Sequence, residues 1–286
     1  MSALATVIYR GRERVPAPDP ADRGLAYGDG LFETVLVHAR RAVWWPQHWE
    51  RLAHGAGTLG IGLPQREWLE AELGVLLPKA PDRAVLKLIL TRGTSGRGYA
   101  ADPQADPTLV ISMHAVPATP VEPLRLRWCE TRLAIQPALA GLKHLNRLEQ
   151  VLARAEWQDP GIHEGLMLDT AGQLACATAA NVFVRIQGRW LTPPVSRRGV
   201  AGVTRAWVLA NVPDAAEAEL ERADVESAEA LFLCNAVRGI LPVGSLGERR
   251  WAAHPALDEL RRRLARSEPA FDPGVRFWRK NPRTGC

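Results

Sequence analysis

Apolar residues recur along this chain with two different spacings, and the switches between them mark its elements. Residues 36–47, LVHARRAVWWPQ, predict a strand, a turn and a second strand, followed by a helix whose apolar positions include Trp49, Leu52 and Leu59. A second helix is predicted over 65–77, after the Gly-Leu-Pro break. Two strongly apolar runs, 84–90 and 108–115, read as strands flanking TRGTSGRGYAADPQAD, a loop rich in glycine and arginine. Residues 116–123, VPATPVEP, carry three prolines in eight positions, which excludes a helix and predicts an extended connector.

Beyond the connector, apolar Leu145, Leu148, Val151, Leu152 and Ala155 lie near helical spacing and predict a helix over 144–157. Strands are predicted over 166–168, 181–186 and 231–234, and helices over 203–211 and 256–266. The expected organisation is an N-terminal α+β domain over 1–115, a linker over 116–123, a second domain over 124–268 and an irregular tail over 269–286. No internal repeat is visible at periods of 20 to 50 residues.

Composition narrows the class. With 286 residues, 47% hydrophobic and 23% charged, the chain is long enough for two well-filled domains and is not disordered, collagen-like or of low complexity. Thirty-six Lys and Arg against 31 Asp and Glu give a formal +5, spread along the chain rather than gathered into basic runs. That pattern favours small anionic ligands over nucleic acid. The four cysteines, Cys129, Cys176, Cys234 and Cys286, have neither zinc-ligand nor disulfide-framework spacing. Arg10 interrupts the first apolar stretch too early for a signal-peptide core, and no run is long enough to span a membrane, so a cytoplasmic protein is expected.

Several residues carry candidate chemistry. Lys143, in GLKHLNRLEQ, stands at the edge of an apolar stretch, where its ammonium is either disfavoured, leaving a usable amine, or simply snorkels to water. Two glycines in GVAGVTR precede a predicted helix, so free backbone N–H groups and the Thr204 hydroxyl either cradle a phosphate or form a plain turn. Arg51, in HWERL, is an anion ligand or a solvated helix residue. Arg92 and Arg97 sit on the glycine loop, where carboxylate capture and loop solubility are both open. Cys176 and Thr178 lie in a run of small residues before a strand. Asp29, between two glycines, most simply stabilises a turn, and Thr34 shares a strand face with Phe32.

Taken in order, YGDGLFET, HWERL, LTRGTSGRGY, GLKHLNRLEQVLAR, EGLMLDTAGQLACATAANVFV, GVAGVTR and LFLCNAVRGILPV resemble the class-IV aminotransferase superfamily of pyridoxal phosphate (PLP) enzymes, from about residue 24 to 243. KHLNRLEQVLAR, beginning at Lys143, is the most specific part. Within that superfamily the likeness is to the aminodeoxychorismate lyases, which turn 4-amino-4-deoxychorismate into p-aminobenzoate and pyruvate. The resemblance implies fold type IV: a two-domain α+β architecture with a small N-terminal domain, a larger C-terminal domain, PLP in the cleft between them, and a homodimer acting on a small molecule. By the same likeness, Lys143 matches the Schiff-base lysine and Arg51 the phosphate-pairing arginine. Val203 and Thr204 match the phosphate cup, and Asn235 and Ala236 match a turn lining the same phosphate. Thr34 matches a threonine next to the reacting centre in the lyases, where branched-chain aminotransferases usually carry glycine, and on the lyase reading it is the expected proton donor to the leaving enolpyruvate. Arg92 or Arg97 is implied as the substrate-carboxylate ligand.

One position departs from the pattern. Aligning Gly172, Asn181 and Phe183 puts Cys176 where the family carries a glutamate that keeps the PLP pyridine nitrogen protonated. A thiol is a poor counter-ion, so the electron-sink power of the ring falls. An elimination driven by aromatisation tolerates that loss better than transamination does. The other readings are a D-amino-acid or branched-chain aminotransferase and a homologue that has lost catalysis.

Overall fold

The structure, a computed structural model, describes residues 3–272 except 97, 119, 121 and 122. It contains two sheets of different size. The first is six-stranded, in the order β2-β1-β6-β5-β3-β4. Its strands are β1 (Ala5–Arg10), β2 (Glu13–Val15), β3 (Gly30–His38), β4 (Arg41–Ala42), β5 (Arg83–Thr91) and β6 (Thr108–His114), all paired antiparallel. Three helices accompany it: α1 (Arg23–Tyr27), α2 (Trp45–Leu59) and α3 (Arg66–Leu76). Alternation sends Leu31, Val35, Val37, Leu86, Leu88 and Leu90 to one face, where they form a core with Leu52 and Ala56 of α2 and Leu69 and Leu73 of α3. The opposite face carries Phe32, Thr34 and Lys87.

The second sheet is nine-stranded and mixed. Its path is β12-β11-β10-β13-β14-β7-β8-β9, and β15 pairs off β14. The strands are β7 (Leu124–Trp128), β8 (Glu164–Leu168), β9 (Leu174–Ala177), β10 (Asn181–Ile186), β11 (Arg189–Thr192), β12 (Ala215–Glu217), β13 (Ala230–Asn235), β14 (Gly239–Leu246) and β15 (Arg249–Arg250). The helices are α4 (Leu148–Ala155), α5 (Val203–Asn211), α6 (Arg222–Ser227) and α7 (Pro255–Ser267). One core gathers Leu166, Val182, Val184, Leu231 and Leu233. A second stacks Phe183 on Phe232, ring centroids 4.8 Å apart, beneath α5 and α7.

Three local expectations change. Trp45, Pro46 and Gln47 open α2 rather than closing a strand, because Pro46 suits a helix's first turn and β4 ends at Ala42. The helix expected from His144 begins only at Leu148. The N–H of Leu145 donates instead to the carbonyl of Gly30, and His144 bridges Leu31 of β3. The tail opens with a single 3-10 turn, Pro269–Phe271, not an irregular stretch. Phe271 lies 4.9 Å from the Trp44 ring, and the Ala270 carbonyl accepts from Arg83 at 2.8 Å. Three of the four cysteines, Cys129, Cys176 and Cys234, are buried and free, and Cys286 falls outside the described residues.

Candidate active site

Lys143 lies on a segment stitched to both halves of the molecule. Gly141 donates to the carbonyl of Gly199 at 3.0 Å, and Ala201 donates back to Gly141 at 2.9 Å. On the other side, Phe32 donates to the Lys143 carbonyl at 2.9 Å. Gly141 has φ +80°, in the left-handed region that favours glycine, which lets the chain enter this double clamp. The Lys143 ammonium sits 4.1 Å from the centre of the Phe32 ring. Desolvation, reinforced by the charge of Arg51 and partly offset by Glu33, pulls its pKa down to about 7. At neutral pH a large share of this amine is therefore unprotonated and nucleophilic.

Arg51 is held from below by a residue of β3. Its Nε and Nη2 donate to the two carboxylate oxygens of Glu33 at 2.8 and 2.6 Å, and its Nη1 donates to the Ala201 carbonyl at 2.9 Å. Glu33 points away from Thr34 by strand alternation and is almost wholly buried. Burial alone would raise its pKa. The Arg51 charge and hydrogen bond, together with His48, overcome that and hold it at about 2. His48, three residues before Arg51 on the same helix face, has its pKa lowered chiefly by burial. A neutral His48 donates from Nδ1 to Glu33 at 2.6 Å, leaving Nε2 buried without a partner. A guanidinium has five N–H bonds, of which three are engaged here; one on each terminal nitrogen is left, forming a fork suited to a phosphate.

That fork meets a second anion-binding element. Helix α5 starts at Val203 behind Gly202, and no side chain caps it, so its first N–H groups are open to an anion. The Thr204 hydroxyl is completely buried and has no hydrogen-bond partner. Asn181 braces this loop by donating to the Val200 carbonyl at 3.0 Å. Its side-chain oxygen would lie 2.0 Å from a Cβ at Gly202, so only glycine fits there. Arg198 anchors the loop from behind, with Asp169 at 2.8 Å, Glu219 at 2.6 Å and the Leu174 carbonyl at 3.0 Å.

Cys176 lies on β9 just after a register shift that bulges Ala175, packed among Cys129, Leu133, Ala153 and Met167. Burial pushes its thiol up to about 12 against the opposing charges of Arg147 and Arg198, so it is neutral. Thr178, nearby, donates its hydroxyl to Glu164. Asn235 closes the turn between β13 and β14 by accepting from Val237 and Arg238 at 3.1 and 2.9 Å, with Ala236 in that turn. Thr34 stands on the Phe32 face of β3, half-buried.

The geometry alters the reading of Arg92. Its guanidinium donates to Asp29 at 2.8 and 3.2 Å and to the carbonyls of Leu59 and Gly60, at the C-terminal end of α2, at 2.7 and 2.6 Å. Asp29 also takes Arg23 at 2.9 Å, so it is an ion-pair hub more than a turn former. Arg92 thus ties a loop to a helix end and has no free edge for a substrate carboxylate. Arg97 falls outside the described residues. Sequence reasoning passed over Glu33 and His48 and used Asn181 only to align the family pattern. The usable signals were a lone carboxylate within an apolar strand and the His-x-x-Arg spacing of one helix face.

Residues 30–246 match the family model for amino-transferase class IV. The chain belongs to that family. It is 32% identical to aminodeoxychorismate lyase of Vibrio harveyi, over 85% of this chain and 92% of the relative. It is similar to the crystal structure of 4-amino-4-deoxychorismate lyase from Pseudomonas aeruginosa, with TM-score 0.86 and 39% identity over 92% of this chain and 99% of that one. The branched-chain amino acid aminotransferase of Escherichia coli shares the fold at TM-score 0.77 and 18% identity, over 92% and 94% of the two chains. The architecture is fold type IV, and the cofactor of these class-IV enzymes is PLP.

The residues present fit that cofactor. The Arg51 fork, the partnerless Thr204 hydroxyl and the start of α5 suit its phosphate, and the near-neutral Lys143 amine suits its aldehyde. At the position matched to the pyridine-nitrogen partner, this class-IV chain offers a neutral thiol, Cys176, in place of a carboxylate.

Proposed function

We propose that this chain is a PLP-dependent carbon–oxygen lyase converting 4-amino-4-deoxychorismate to p-aminobenzoate and pyruvate. The observation that carries the reading is the shared face of Phe32 and Thr34: the Lys143 amine lies against the ring, and a hydroxyl follows two residues later on the same strand. An amine with a pKa near 7 is suited to take a carbon-bound proton, and a hydroxyl on the same strand face as Phe32 is suited to give one to a departing oxygen. When bound, the cofactor supplies an electron sink for the carbon next to the substrate nitrogen. Lys143 removes the C4 proton. Thr34 protonates the oxygen leaving from C3, and the ring becomes aromatic.

Arg51, set by Glu33 and His48, holds the phosphate end. The α5 start, the Thr204 hydroxyl and the Asn235–Ala236 turn complete that seat. A neutral Cys176 weakens the sink, which an aromatising elimination tolerates better than a reaction that must reprotonate carbon. The lyases of Vibrio harveyi and Pseudomonas aeruginosa support the same choice. A second copy of the chain is proposed to cover the apolar stripe of α4, where Leu148, Val151 and Leu152 are 68%, 60% and 54% exposed beside a cleft of about 590 Å³. Light scattering should then give twice the chain mass.

The test couples purified protein and PLP to an aminodeoxychorismate synthase with chorismate and glutamine, alongside Lys143→Ala. p-Aminobenzoate formed by the wild type and absent from the variant is expected. A PLP-loaded wild type that forms none overturns the reading, and a keto-acid acceptor screen would then test the aminotransferase alternative.

A further inference from the structure

Arg92 is engaged by Asp29 and a helix end, but a further cation stands among the described residues near the Lys143 amine. Lys87 lies at the middle of β5, between β3 and β6. It stands directly opposite Thr34 on one side and Ser112 on the other. Residues opposite one another in antiparallel pairs share a face, with Cβ atoms about 5 Å apart. Lys87 therefore projects from the same face as Thr34 and Phe32. Its ammonium lies 5.9 Å from the centre of the Phe32 ring, against 4.1 Å for Lys143, so both amines flank one ring.

Lys87 is half-buried, and no carboxylate or hydrogen-bond acceptor among the described residues pairs with it. Ser112, its cross-strand neighbour, is occupied by His114 at 2.9 Å. A lysine at the centre of a sheet, drawn partly out of water and given no counter-ion by its own chain, is a site that an anion completes. Arg23, Arg51, Arg92, Arg198 and Arg205 all have carboxylate partners. The charge of Lys87 is also felt at Lys143, which places the two in one electrostatic environment.

We infer that Lys87 binds the carboxylate of the three-carbon fragment that leaves as enolpyruvate, and so helps select an enolpyruvyl ether as substrate; this rests on the lyase reading above. The substrate nitrogen is directed to the Lys143 side of the Phe32 ring. The departing oxygen is served by Thr34, and Lys87 stands across the strand pair from Thr34, so the carboxylate nearest that oxygen is the one within its reach. An aminotransferase acting on an apolar amino acid has no group to place there.

Holoenzymes of the wild type, Lys87→Met and Lys87→Arg test this, with near-ultraviolet circular dichroism to verify the fold. Loss of a charge-assisted hydrogen bond predicts a KM for 4-amino-4-deoxychorismate raised about tenfold or more in Lys87→Met, restored to within about threefold by Lys87→Arg. Inhibition by pyruvate should weaken by a similar factor in Lys87→Met, while inhibition by p-aminobenzoate stays put. Unchanged pyruvate inhibition and KM overturn the proposal and leave the lyase reading intact. Weakened p-aminobenzoate binding with unchanged pyruvate binding also overturns it, by moving Lys87 to the ring carboxylate. A wild type that forms no p-aminobenzoate defeats the lyase reading alone. Calorimetric titration of pyruvate into the PLP-loaded proteins then decides Lys87, since equal affinity in wild type and Lys87→Met overturns the carboxylate site.

Discussion

Replacing Lys143 with methionine should make the cofactor-free protein more stable at neutral and mildly acidic pH. The side-chain stem is kept while the ammonium is removed from the Phe32 ring and the neighbourhood of Arg51. In the folded protein the lysine pKa is lowered from 10.5 to about 7, with desolvation as the leading cause. Below about pH 7 the group is protonated in both states, and the folded state carries the full penalty. Between about pH 7 and 10.5 the unfolded chain binds more protons, so stability rises with pH. The whole gap corresponds to roughly 5 kcal/mol at about 1.4 kcal/mol per pH unit, of which about 2 kcal/mol appears between pH 7 and 9. Urea unfolding of both proteins at one concentration, from pH 6 to 9.5, measures the difference directly. Lys143→Met should be the more stable at pH 6, and its advantage should shrink steadily above pH 7. Parallel pH profiles would refute the argument, because they would mean that the amine is no harder to charge in the fold than in the open chain.

Three further outcomes follow from the neighbouring contacts. Glu33→Gln leaves Arg51 without its buried counter-ion and should cost about 3 kcal/mol at pH 7, along with PLP affinity; the wild-type carboxylate stabilises the fold above pH 4.5 and loses that contribution as pH falls through about 2, so the two unfolding curves should converge at low pH. Arg92→Ala should lower the melting temperature, by roughly 2 kcal/mol of stability, and leave KM within about twofold, whereas a large KM rise in a normally stable protein would return Arg92 to the substrate. Cys176→Glu should gain transamination with a keto-acid acceptor and lose lyase turnover; if neither rate moves, the identity of this residue does not govern the choice.

Much of the fold is legible because apolar alternation and helical spacing are local. β10 and α5 begin and end where the pattern places them, and β5, β6 and α7 lie within a residue or two. The failures have non-local causes. At 144–147 the helical spacing is real, but the Leu145 N–H is taken by Gly30 of β3, so tertiary pairing overrides the periodicity. The apolar residues that predicted this helix, Leu148, Val151 and Leu152, are exposed in it. The partners of Arg92 were not legible because a glycine-rich loop signals binding, while Asp29 and the end of α2 are more than 30 residues away. Glu33 was passed over because a charge in a strand usually faces water, and here it is buried beneath an arginine.

The proposed phosphate seat is built largely from backbone atoms that every residue has: the clamp of Gly141 on Gly199 and Ala201, the Ala201 carbonyl under Arg51 and the open start of α5. A backbone frame of this kind accepts many sequences, and the fold itself is shared with an Escherichia coli aminotransferase at 18% identity. It cannot by itself choose a reaction. The choice has to reside in side chains that the frame displays but does not need for its own integrity. Thr34 and Lys87 meet that condition, because among the described residues neither pairs with another side chain through a hydrogen bond or ion pair and both project from the sheet face that carries Phe32. Cys176 meets it differently, as a neutral thiol in a packed cluster where a carboxylate would have to be desolvated. Exchanging Thr34 or Lys87 should therefore alter the reaction with little loss of fold, and Cys176→Glu should alter it at a cost in stability because its carboxylate is desolvated, whereas exchanging Glu33, Asn181 or Arg198 should damage the fold and the cofactor seat together.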